Sequence, residues 1–300
     1  MSQQGWHPTT GMYSKVDMQD YLALDALSSG LCHTLLSQSP AHARYRQLHP
    51  MASTPAMDLG TVAHQLLLEG NENRVVLVEA KDWRKKAARE GREAAYAAGR
   101  LPLLAETMGE VRVMADVAER FIQTSEIAWA FAHGDPEMTL VWDEGGICCK
   151  ARPDWLSESM GVVVHFKTTG RSANPESFSS HLVEMGYDLA AAFYERGLRN
   201  VTGQDPSRVS SYFLVQETAQ PYACSLVGLA PSLMEIATVK VEHAIQVWTQ
   251  CITAQHWPGY PTRTCHIEAR SWQITQAAEN ALGWNDHEAY DRLIELGGGQ

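Results

Sequence analysis

The sequence predicts an α/β protein with a central mixed β-sheet flanked by helices and a substantial helical region ahead of it. Three observations lead there. From residue 28 to about residue 132 the apolar residues recur mostly at helical spacing. Beyond residue 136 the period changes to short alternating or continuous apolar runs, as in strands. A helix, two more strands and a long helix follow, completing an α/β order.

Residues 28–38 (SSGLCHTLLSQ) read as a helix capped by Ser28 or Ser29, with Leu31, Leu35 and Leu36 on one face. Ser39-Pro40 ends it and opens another short helical stretch at Ala41. Residues 58–69 (DLGTVAHQLLLE) form a helix closed by Gly70, and 75–80 (VVLVEA) a short strand. From Trp83 to about Ala132 the pattern is helical, interrupted near Gly99 and Pro102, with a long amphipathic second half at 103–132. Strands are expected at 137–143, 147–155 and 161–167, the first two joined by a hairpin at Glu144-Gly145-Gly146. Residues 176–198 read as helix, 209–216 and 222–229 as strands, and 231–253 as helix. The expected organisation is an N-terminal extension (1–20), a main domain (21–267) and a C-terminal tail (268–300) ending in GGGQ. Within the main domain, 21–135 is the helical part and 136–267 the sheet core.

With 45% hydrophobic and 20% charged residues in 300, the chain can bury a sizeable core. No apolar stretch reaches the ~20 residues of a membrane helix, and the N-terminus has no basic segment followed by an apolar run. A cytoplasmic protein without membrane contact is expected. The six cysteines form no CxxC pair and match no iron–sulfur spacing, so they are expected to be reduced thiols. A net charge of −11 argues against a surface coated for nucleic acid but leaves room for a local basic channel. One such concentration runs from Lys81 to Arg100 and includes Lys85, Lys86 and Arg89. A solvated helix face is the ordinary account of it; phosphate contact is the functional one.

The chemistry-bearing pair is Asp154, ending a strand in Arg152-Pro153-Asp154, and Lys167, ending the next strand. In a hairpin, Asp154 and residue 165 point the same way, and Lys167, two residues on, shares the face of residue 165. An acid and a lysine so placed can bind a divalent cation and position a water for attack on phosphorus. Alone, such a pair is an ordinary surface ion pair.

The surrounding segments are more specific. CKARPDWL, VVVHFKTT and YDLAAAFY, preceded by LSSGLCHTLLSQSPAH, TPAMDLGTVAHQLLLEG and WRKKAAREGREAA, resemble in order the RecE-like exodeoxyribonuclease VIII family of phages, within the PD-(D/E)xK nuclease superfamily. The resemblance covers about residues 20 to 265. It implies a PD-(D/E)xK core that degrades linear double-stranded DNA from an end with Mg2+ or Mn2+. It also implies a ring-like homo-oligomer and a single-strand annealing protein as partner.

Carried over by position, Asp154 is the central metal ligand, and Lys167 orients the attacking water. His64 matches the histidine that reaches the metal from the helical region, Glu137 an acid that completes the site, and the Phe166 carbonyl a further ligand. Arg152, Thr168, Thr169 and Tyr187 are candidate DNA contacts. Two positions depart from the family: His165 stands where it has the acid of its name, and Ala190 where it has glutamine. Imidazole suits manganese better than magnesium, so His165, as ligand and catalytic residue, implies a manganese preference. Asp143, Glu144, Glu158 and Asp188 are nearby carboxylates that could replace the missing one. The alternative reading is a catalytically impaired nuclease fold acting in DNA binding or assembly.

Overall fold

The computed structural model describes residues 6–49, 53–159, 161–205 and 208–297. The three residues that end GGGQ lie outside this range. Residues through Gly259 form one compact unit and Tyr260–Gln300 a second. The C-terminal unit therefore begins at Tyr260, ahead of the tail expected from 268.

Helices make up most of the first part: α1 (Met18–Ala23), α2 (Ser29–Ser37), α3 (Pro40–Leu48) and α4 (Pro55–His64), preceded by a short strand β1 (Gly11–Tyr13). Caps set their starts. Ser28 Oγ accepts from the Leu31 amide, Ser39 from His42 and Thr54 from Met57, each three residues into the next helix. β1 lies inside the segment expected as an extension and pairs with β5, so those residues belong to the fold.

The helix expected over 58–69 changes form. α4 ends at His64, and Gln65–Glu69 continues as a π-helical turn closed by left-handed Gly70. After β2 (Val75–Val78) comes α5 (Lys86–Ala97), then β3 (Leu101–Leu104), which pairs parallel to β2. The long helix expected from 103 therefore begins as strand, and α6 (Ala105–Thr124) and α7 (Ala128–Ala132) follow it. Arg100 ties this turn by donating to the carbonyls of Asn73 and Val75.

The sheet also differs from expectation in one respect. The strand expected at 137–143 is β5 (Thr139–Asp143), preceded by a separate short strand β4 (Asp135–Pro136), and the one expected at 147–155 divides into β6 (Cys148–Ala151) and β7 (Trp155–Ser157). β5 and β6 join β1 in a three-stranded sheet, while β4 and β7 join β8 (Val162–Thr169), β9 (Ser210–Glu217) and β10 (Cys224–Gly228). The five-stranded order is β10-β9-β8-β7-β4, parallel only between β8 and β9. Parallel neighbours need a long crossover, here α8 (Pro175–Glu184) and α9 (Tyr187–Thr202). The single helix expected at 176–198 is broken at Gly186, whose φ is +69°; a Cβ there would fall 2.4 Å from the His33 ring.

α10 (Pro231–Ala254) closes the unit by packing on α9 and α2, with Ala237, Val241, Ala244 and Trp248 buried in the largest core cluster. In the second unit α11 (Ser271–Gly283) and α12 (His287–Gly297) pack against each other. Among the described residues no helix is long and apolar enough to cross a membrane.

A candidate metal centre where two strands change sheets

Two strand-to-strand crossings lie side by side, between Pro136 and Thr139 and between Ala151 and Trp155. The Glu137 amide donates to the Asp154 carbonyl at 3.3 Å, tying one crossing to the other. Glu137 has φ +54°, a left-handed conformation that few side-chain-bearing residues adopt and that recurs at functional sites. The crossings thus present Glu137, Arg152 and Asp154 together.

β8 and α4 supply the rest. The Phe166 amide donates to Asp154 Oδ2 at 2.7 Å, and Lys167 Nζ lies 3.1 Å from the same oxygen. α4 runs close over β8 because Gly60 has no side chain: a Cβ there would fall 2.9 Å from Thr168 Oγ1. One turn later His64 Nε2 reaches 3.3 Å from Glu137 Oε1 and 3.4 Å from Asp154 Oδ1. It is buried and makes no hydrogen bond of good geometry with either.

The far oxygens of both carboxylates are occupied. Arg152 Nε bonds Glu137 Oε2 while its Nη1 donates to the Val16 carbonyl at 2.9 Å, and Lys167 holds Asp154 Oδ2. One oxygen of each acid is left facing His64. Neighbouring ligands of an octahedral ion with bonds of about 2.1 Å lie about 3 Å apart, close to the separations seen here. A buried imidazole nitrogen without a hydrogen bond, between two acids, therefore fits a divalent cation. Glu69, not singled out from the sequence, adds a carboxylate: its oxygen, His64 and Glu137 all lie within 4.8 Å of one another. Asp154 meets this group through His64.

The charges are strongly coupled. Burial opposes ionisation of Asp154, yet Lys167 and His64 outweigh it and hold the carboxyl well below its usual range. Burial, with Asp154 nearby, lifts Glu137 above its usual value despite His64 and Arg152. Burial disfavours a charged His64, but Asp154 and Glu137 raise its pKa overall.

The other sequence candidates divide. His165 is 2% exposed and stacks on Phe213, its register partner on β9, with ring centroids 4.8 Å apart. Burial and the Lys167 charge push its pKa down to about 3, so it is neutral, although Asp154 acts on it in the opposite sense; its buried Nε2 has no hydrogen-bond partner among the described residues. Arg152, expected as a DNA contact, is turned inward on Glu137 and Val16. Thr169 is also buried, its hydroxyl accepting from the Arg171 amide, and Thr168 is half-buried under Gly60. His165, Lys167, Tyr187 and Ala190 line an open cleft of about 990 Å³, whose other wall is α1, α2 and the loop between them. Lys150, on β6, also lines the cleft; it is buried and donates to the carbonyls of Tyr21 and Leu24 at 2.7 Å.

Lys85, Lys86 and Arg89 are exposed at the start of α5, outside the lining of that cleft. Tyr96, farther along α5, donates to buried Asp58 on α4, so the basic helix is anchored to the helix that ends in His64. Glu144 is paired with Arg196 and Trp142, and Asp188 Oδ2 with Lys240.

The family model described as "PDDEXK-like domain of unknown function (DUF3799)" matches residues 29–269. No curated protein matches the sequence. Among solved structures, a "Putative exonuclease" from Eubacterium rectale aligns with a TM-score of 0.54 at 10% identity, over 88% of this chain and 99% of that one. At that identity the likeness is one of fold. A second structure, SSO0001, aligns with a TM-score of 0.26 at 11% identity, over 75% of this chain and 93% of that one.

Proposed function

The chain belongs to the PDDEXK-like family whose model it matches, and we propose that it is a metal-dependent exodeoxyribonuclease acting on the ends of linear double-stranded DNA. The observation that carries this reading is the meeting of His64, Glu137 and Asp154, with Lys167 on the far oxygen of Asp154. A Mg2+ or Mn2+ ion bound there supplies Lewis acidity toward a phosphate and lowers the pKa of a bound water. Asp154 and Glu137 hold the cation, and Arg152 fixes which Glu137 oxygen is presented. Lys167 brings a fixed positive charge to the cleft wall, where charge on the scissile phosphate grows in the transition state. The open cleft beside Lys167 and Tyr187 receives the DNA strand, and the exposed α5 cations attract the duplex.

The segments shared with the RecE-like family support the narrower assignment: a cytoplasmic homo-oligomer that feeds a single-strand annealing protein. His165 and Ala190 favour a second reading, in which the fold binds DNA or assembles but cuts slowly or not at all. The test is degradation of an end-labelled linear duplex, with Mg2+ and Mn2+ separately. Digestion by the unchanged protein and none by Asp154→Ala supports the enzyme. Digestion only by His165→Asp, Ala190→Gln or the double variant supports the second reading. Silence in all of them contradicts nuclease chemistry.

A further inference from the structure

We infer that Glu69 is a ligand of the divalent cation and replaces the carboxylate that His165 has displaced. The inference rests on the metal-centre reading above and adds a residue to it.

The π-helical turn makes the placement. In a regular α-helix five residues advance about 1.4 turns, leaving position 69 on a different flank from position 64. The turn at Gln65–Glu69 has i→i+5 spacing, which returns Glu69 to the side of His64, within 4.8 Å of its ligating nitrogen and of Glu137. The turn is packed in place: Leu66, Leu67 and Leu68 all join the core cluster around Val62 and Met108, and Gly70 ends it in a left-handed conformation.

Charge gives the reason a further acid is needed. Glu137 is neutralised by Arg152 and Asp154 by Lys167, so these four groups carry no net charge toward a cation. Glu69 has no cationic partner among the described residues; its contact is Asn71 Nδ2, 3.4 Å from Oε2. Its other oxygen is free for a ligand, and its charge is the one available to offset a divalent ion.

Calorimetric titration of the full chain with Mn2+ alone, without DNA, tests this. Wild type is expected to bind. Glu69→Gln is expected to bind at least tenfold more weakly at an unchanged metal-free melting temperature, since Glu69 is exposed. Glu69→Asp, which keeps the charge but withdraws the oxygen, is expected to fall between them. Asp154→Asn separates the two ideas. If it loses binding while both Glu69 variants match wild type, the Glu69 inference is overturned and the metal centre stands. If wild type does not bind Mn2+, both fall.

Discussion

Glu137 and Asp154 are joined by a backbone hydrogen bond, N to O at 3.3 Å, at the place where their strands leave one sheet for another. Neither crossing alone makes a site. Together they bring two acids to one histidine, with a cation behind each acid. Four expectations follow from that arrangement.

Arg152 is a structural counter-charge of Glu137, with its side chain only 12% exposed. Arg152→Ala leaves a half-buried carboxylate unpaired and releases the Val16 carbonyl, which is expected to cost about 2–4 kcal/mol of stability without metal. Mn2+ should restore part of that, because the cation takes over the guanidinium's role toward Glu137. Urea melts with and without Mn2+ measure it. An Arg152 that only touched DNA would change neither curve.

His64 holds a proton more firmly than an ordinary imidazole because of its two acids, and a metal must displace that proton. Mn2+ affinity should therefore rise with pH, about tenfold per unit below the His64 pKa, and level off above it. Calorimetry in buffers of different ionisation enthalpy should find close to one proton released per ion on the acid side and none on the alkaline side.

His165 is neutral in the fold, its pKa pushed down to about 3, whereas in the unfolded chain it titrates near the ordinary value of about 6.5. The unfolded state thus binds more protons between these values, and His165 subtracts stability as the pH falls through them. At pH 4 the loss is on the order of 3 kcal/mol. His165→Leu should flatten this part of the stability profile measured by denaturant unfolding. His165→Asp should instead lower metal-free stability, by adding a buried charge beside Asp154, and shift the Mg2+/Mn2+ activity ratio toward Mg2+.

In the proposed function Lys85 and Arg89, exposed at the start of α5, attract the duplex from outside the cleft. Alanine at either should reduce the slope of log affinity against log salt by about one and leave Mn2+ binding unchanged. Duplex binding measured from low to high salt in Ca2+ checks this; unchanged slopes would make α5 a solvated face.

Much of this architecture was legible in the sequence. A serine cap marked α2, Ser39-Pro40 marked the break before α3, and the change of apolar period marked the strands. Asp154 and Lys167 were readable because their spacing on adjacent strands survives the correction of strand ends. The crossings were not readable: an apolar run such as 147–155 looks the same whether it stays in one sheet or passes to another. Glu69 was hidden for a related reason. Five residues from a histidine is the wrong spacing for an α-helix, and no residue in QLLLEG signals a π turn. The inward turn of Arg152 depends on Val16, 136 residues away in the chain, a contact no local pattern announces.

The most direct measurement is anomalous diffraction at the manganese edge from crystals soaked in Mn2+. A peak is expected about 2.1 Å from His64 Nε2 and from oxygens of Glu137 and Asp154, with Glu69 turned toward it. A peak elsewhere, or none at a concentration that saturates binding in solution, would contradict it.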